Sequence, residues 1–355
     1  MYTPNNGYPN YSMPNQDSFY LYRQQAQEKK MIRQRSLGAA AATAGFFLLA
    51  AVLYRFYLLL PGAVLYPQTE SELLVYYSVD LLITMISLVA PFALVYYFFT
   101  SRLHSRPFRM ERPQCATGHT LLFLFAGSGL LLAASYFTSY LNAFVQMMTG
   151  VEFLYSETPV PRSAFGLVLY YARMALLPAL AEEFAMRGVV MQSLQRWGDW
   201  FAMTMSALVF ALMHGNMVQA PFAFLAGLIL GYAVIRTGSL WTGILIHFIN
   251  NAFSVTLSVV YEWGFVQTYN ILSLVGSIVL IVGGVICAVI LGVRHQLAKP
   301  GRNVTVLPNK QCYSSFILTI PMLLVLLYMV FQTMLMVDIP FLSDLFSMLM
   351  GGMYS

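Results

Sequence analysis

The sequence predicts an all-α membrane protein, a polytopic helical bundle of about nine spans with its N-terminus inside. Three observations point there. Hydrophobic residues make up 59% of the 355 residues and charged residues 9%, with a mean hydropathy of +0.67, whereas an ordinary soluble domain carries about 25% charged residues. Apolar runs follow one another at 38–60, 73–99, 119–142, 164–196, 199–217, 220–236, 240–261, 270–293 and 314–337, each near the ~20 residues that a helix needs to cross a bilayer. The connections then alternate in charge. Arg102, Arg106, Arg109 and Arg112 fill the second, and Arg294, Lys299, Arg302 and Lys310 precede the last run, while Glu70 and Glu72 occupy the first and Glu152 and Glu157 the third. A nine-helix chain that starts inside places every basic connection on the cytoplasmic side. The net charge of +5 is too small and too dispersed for a nucleic-acid surface.

In chain order, residues 1–37 form a tail. Its Tyr-, Asn-, Pro- and Gln-rich part, through Gln27, has no apolar period and predicts disorder, and the basic stretch from Glu28 to Arg35 is expected to lie against the cytoplasmic face. No cleaved signal peptide is expected, because the first apolar run starts late and is long enough to span. Residues 38–163 supply the N-terminal transmembrane helices. There, Arg55 sits near an outer helix end where it can snorkel, and Asp80, near the outer end of the second run, is the expected partner of the deeper Arg173. Residues 164–261 form a core and 262–355 the C-terminal helices. Cys115, Cys287 and Cys312 show neither metal-ligand nor redox spacing and are expected to be free thiols.

The core differs from its flanks in carrying Glu182, Glu183 and Arg187 inside an apolar run. A charged side chain at the bilayer centre costs about 2.5–3.5 kcal/mol, so all three need partners or a task. Glu183 and Arg187 stand four residues apart on one helix face and can pair; Glu182 is rotated by about 100° and points elsewhere. Two more pairs share that spacing, Phe210 with His214 and His247 with Asn251. Each piece has a structural reading: a packing histidine, or an interhelical amide bond of ~0.6–2 kcal/mol. Together, a carboxylate, two imidazoles and an amide are the groups that add water to a carbonyl.

These residues resemble the three motifs of the CPBP family of intramembrane proteases, also called the Abi or CAAX-protease-and-bacteriocin-processing family. EExxxR is Glu182 to Arg187, FxxxH is Phe210 to His214, and HxxxN is His247 to Asn251, with the similarity covering about residues 164–261. The resemblance implies an intramembrane endopeptidase acting on a membrane-associated peptide or protein. By that resemblance Glu182 and His214 activate a water, His247 and Asn251 stabilise the oxyanion, and neither cofactor nor metal takes part. Glu183, Arg187 and Phe210 would support the site. Burial would make Glu182 a better base. Glu182, His214 and His247 also offer three ligands for catalytic zinc; the lack of an HExxH helix and the weak ligand Asn251 favour the metal-free reading. The runner-up is a membrane scaffold or regulator of a signalling partner that keeps the fold. A proton-carrying transporter would show inverted repeats, and none is evident. The expected location is a plasma membrane, that of a bacterium by the character of the tail, with the lipid bilayer as partner and no nucleic acid.

Helix length sets a constraint. At 1.5 Å per residue, His214 lies roughly 22 Å up its helix and His247 about 10 Å up its own, so straight full-length helices would separate them. A short hairpin over 199–236, beside a 164–196 helix interrupted near Pro178, would bring them together in a water-filled crater. Gly227 and Gly231 form a GxxxG suited to close helix packing.

Overall fold

The computed structural model describes residues 16–103, 117–153, 159–297, 301 and 305–338. The tract before Gln16, together with Arg106, Arg109, Arg112, Cys115, Glu157, Lys299 and Arg302, lies outside the described residues. Ten helices follow in order: α1 (Gln16–Leu58), α2 (Glu70–Leu103), α3 (Thr117–Thr149), α4 (Ala164–Trp197), α5 (Asp199–Met213), α6 (Ala220–Thr237), α7 (Leu240–Glu262), α8 (Val266–Val293), α9 (Asn309–Ile317) and α10 (Ile320–Leu335). A two-residue antiparallel pairing, β1 (Glu152–Phe153) with β2 (Val337–Asp338), joins the ends of α3 and α10.

Eight of the nine apolar runs are each one helix and the last, 314–337, is divided between two, and not every run is a full span. Among the described residues seven helices are long and apolar enough to cross, α9 and α10 form a pair bent by 63°, and α5 has 15 residues. At 1.5 Å per residue α5 covers about 22 Å, short of a hydrocarbon core of ~30 Å. The tail expectation also needs correction. Residues from Gln16 onward, expected to be unstructured up to Gln27, are helical and continuous with the first span. Tertiary contacts hold them: Thr305 donates to Glu28 at 3.1 Å, Gln25 to the Val306 carbonyl at 3.2 Å, and Ser36 to the Phe316 carbonyl at 2.6 Å.

Hydrogen bonds among the connections sort the bundle into two ends. At one, Glu70 accepts from the Arg162 and Ser163 backbone and the Ser163 hydroxyl, Tyr77 donates to the Pro159 carbonyl, and Trp263 donates to that of Pro161. At the other, Asp199 and Gly301 exchange two bonds, and Arg236 donates to the Gln296 carbonyl. This second end also holds the start of α1 with Lys29, Lys30 and Arg33, and carries Arg196, Arg294 and Lys310. We call it the basic end.

Small residues set the closest helix crossings. A Cβ on Gly129 of α3 would stand 2.3 Å from the Leu280 carbonyl of α8, and one on Gly284 would stand 2.9 Å from the Gly129 Cα. On α6, Gly227 and Gly231 face Ala207 and Met203 of α5, so the GxxxG packs the hairpin as expected. Asp80 and Arg173 form their ion pair at 2.5 Å, and Tyr54 donates to the other Asp80 oxygen. Cys287 and Cys312 are free.

Candidate active site

The site is built on α4, which is not a uniform α-helix. Ser163 caps it by accepting from the Gly166 N–H at 3.0 Å. Two stretches of wider, π-helical winding interrupt it, Ala172–Leu176 and Phe184–Met191. Pro178 follows the first; it lacks an N–H and its ring crowds the carbonyl four residues before, so regular α winding cannot continue through it. The second begins directly after Glu183. Winding with i→i+5 bonds offsets nearby carbonyls, and Ser206 of α5 donates to that of Met186 at 2.8 Å.

Glu183 and Arg187 are buried to 0% exposure. Arg187 donates to Glu183 Oε1 at 2.6 Å, to the Gly227 carbonyl at 3.2 Å, and lies over the Phe210 ring at 4.9 Å. One guanidinium therefore ties α4, α5 and α6 together. Glu183 has a second partner that helical spacing did not reveal: Nδ1 of His247 stands 3.1 Å from the same Oε1. A carboxylate can only accept, so Nδ1 of His247 carries the proton. The other ring nitrogen, Nε2, faces Glu182 Oε2 at 3.8 Å.

His214 ends α5. Its Nδ1 lies 2.9 Å from the Phe210 carbonyl, one of the final carbonyls that a helix leaves unpaired. A carbonyl accepts, so this contact places a proton on His214 Nδ1. The following turn is pinned. Gly215 takes φ 71°, Met217 N–H donates to Thr333 of α10 at 2.8 Å, and Asn142 of α3 donates to the Val218 carbonyl at 3.1 Å.

Glu182, Phe210, His214, His247 and Asn251 all line one cleft of about 230 Å³. His214 and His247 line the same cleft, so their unequal distances along α5 and α7 do not separate them. At the turn that opens α7, Thr237, Ser239, Leu240 and Thr242 are each at most 2% exposed, while Gly238 and Trp241 are exposed.

Residues 164–253 match the family model described as type II CAAX prenyl endopeptidase, Rce1-like. The segment is similar to that domain. It contains all three motifs, and it supports an intramembrane endopeptidase in a multi-pass membrane protein. No curated protein and no solved structure matches the chain. Within this segment two cleft residues were not marked by the sequence as part of the site. Asn250 donates to Asn251 Oδ1 at 3.3 Å, which occupies that oxygen and leaves the Asn251 amide nitrogen available. Its signal was a second consecutive amide in an apolar helix. Arg173 also lines the cleft, although nine positions of regular helix would turn it about 180° away from Glu182; the π-helical turn between them hid it. Among the described residues, no group of three His, Cys, Asp or Glu side chains is arranged to hold a metal ion.

Proposed function

We propose that the chain hydrolyses a peptide bond of a membrane-associated peptide or protein by a glutamate-type mechanism, with residues 164–261 as the catalytic core. The observation that carries this reading is the convergence of Glu182, His214, His247 and Asn251 on one cleft. In the proposed reaction Glu182 takes a proton from water, with the Nε2 lone pair of His214 orienting it, as the oxygen bonds to the carbonyl carbon. The carbonyl oxygen becomes an oxyanion that accepts from the Asn251 amide and from His247 Nε2. Collapse breaks the C–N bond, and Glu182 returns its proton to the leaving nitrogen.

The 3.8 Å separation of Glu182 Oε2 and His247 Nε2 suits this sequence. It is too long for a direct hydrogen bond, yet one oxygen can sit ~2.8 Å from both. His247 already donates from Nδ1 to Glu183, so donation from Nε2 makes it an imidazolium flanked by two carboxylates. Glu183 thereby becomes a positioning residue as well as the partner of Arg187. The flanking helices act as scaffold, and the setting is a bacterial plasma membrane with the N-terminus inside.

The test compares purified wild type, Glu182→Gln and Glu183→Gln on dye-quenched peptides anchored in liposomes, with and without a chelator. Expected is cleavage by the wild type, its loss in Glu182→Gln, and no effect of chelation. Wild-type cleavage by Glu182→Gln, or loss on chelation, overturns the mechanism.

A further inference from the structure

The cleft has a floor and a mouth, and they lie toward opposite ends of the bundle. On α4 the lining residues run from Glu182 back through Pro178 and Met174 to Arg173, away from the basic end. On α6 they are Phe222, Ala223 and Ala226, all nearest the turn that follows His214; on α7 they run from His247 to Asn251, again away from the basic end. In the other direction the same helices close. Met191 and Leu194 on α4, Phe201 and Met205 on α5, and Leu230 and Val234 on α6 are each no more than 6% exposed and belong to one packed core. Water and substrate therefore have no path through the basic end.

The charges identify the two faces. The basic end carries Lys29, Lys30, Arg33, Arg196, Arg236, Arg294 and Lys310. The mouth end carries Glu70, Glu72 and Glu262, with Arg55 and Arg162 as its cations among the described residues. Short connections rich in Lys and Arg stay in the cytoplasm. We propose that the cleft opens to the extracytoplasmic face, so that the substrate is a peptide segment presented from outside the cell. The identity of the bound group as a peptide rests on the endopeptidase reading. The direction of access does not, since it follows from packing and charge alone.

The test uses three single cysteines in the full-length chain, with Cys115, Cys287 and Cys312 replaced, and a small charged methanethiosulfonate that cannot cross membranes. Tyr66→Cys marks the α1–α2 connection, where Tyr66 is 78% exposed. Arg294→Cys marks the basic end, and Phe222→Cys lies in the cleft. Expected is modification of Tyr66→Cys and Phe222→Cys in intact cells, and of Arg294→Cys only after permeabilisation. Modification of Phe222→Cys only together with Arg294→Cys overturns the proposal, as does modification of Tyr66→Cys without Phe222→Cys. Should the cysteine-free chain fail to accumulate, a protease site inserted at Gly62 of the otherwise native chain asks the same question. Cleavage in intact cells supports the orientation and protection reverses it. Neither readout requires turnover, so a loss of the peptidase reading would leave this result standing.

Discussion

Nδ1 of His247 stands 3.1 Å from Glu183 Oε1, the oxygen that also receives Arg187 at 2.6 Å. One buried atom thus fixes an imidazole on α7 and a guanidinium on α4. Its companion, Oε2, has no hydrogen-bond partner in the described structure, so the carboxylate is held from one side only.

Replacing Glu183 by Gln removes the countercharge of a fully buried arginine. Breaking one partner of such a pair costs about 3–5 kcal/mol. Glu183→Gln is expected to lower the unfolding free energy in detergent by that amount and to lose cleavage as well.

Glu182 behaves differently because its one ion-pair contact, His247 Nε2, stands 3.8 Å away and its side chain is 18% exposed. Glu182→Gln is expected to cost no more than about 1 kcal/mol of stability, as for a long, partly exposed ion pair. Cleavage should fall by about 10²–10⁴-fold, the usual contribution of a general base.

Asn251→Ala removes one proposed oxyanion donor. The expected loss is about 10²–10³ in kcat with KM nearly unchanged. Asn250 acts through Asn251, so Asn250→Ala should cost less alone and nothing further in the Asn251→Ala background, which a double-mutant cycle reads directly.

Gly227→Ala would bring a Cβ within 2.6 Å of the Ala207 Cβ, and Gly243→Ala would bring one within 2.9 Å of Glu183 Oε2. Overpacking of this kind costs about 1–3 kcal/mol. Both variants should melt earlier, and Gly243→Ala should also depress activity by displacing the carboxylate. Gly283→Ala, where a Cβ meets nothing within 4 Å, is the control and should leave both unchanged.

Much of this architecture is legible in the sequence because hydropathy and i, i+4 spacing are local. Eight of the nine apolar runs are single helices and the ninth is a bent pair; Glu183 pairs with Arg187, Arg173 pairs with Asp80, and Phe210 meets His214 edge to face at 4.9 Å. What failed depends on tertiary placement. The bond from His247 to Glu183 joins residues 64 positions apart. The helix from Gln16 forms because α1 docks on Val306 and Phe316, which no local tendency announces. That His214 and His247 share one cleft despite their unequal distances along α5 and α7 follows from how the helices pack, which no local pattern carries.

The wide turn at Ala172–Leu176 divides α4 into two separately indexed segments. Removing one residue from that turn would rotate everything before it by about 100° relative to Glu182. Arg173 would leave the cleft wall while Glu182, Glu183 and Arg187 kept their places. The helix therefore works as a vernier: the lining near the mouth can be re-dialled in sequence by single insertions or deletions, and the reacting groups do not move.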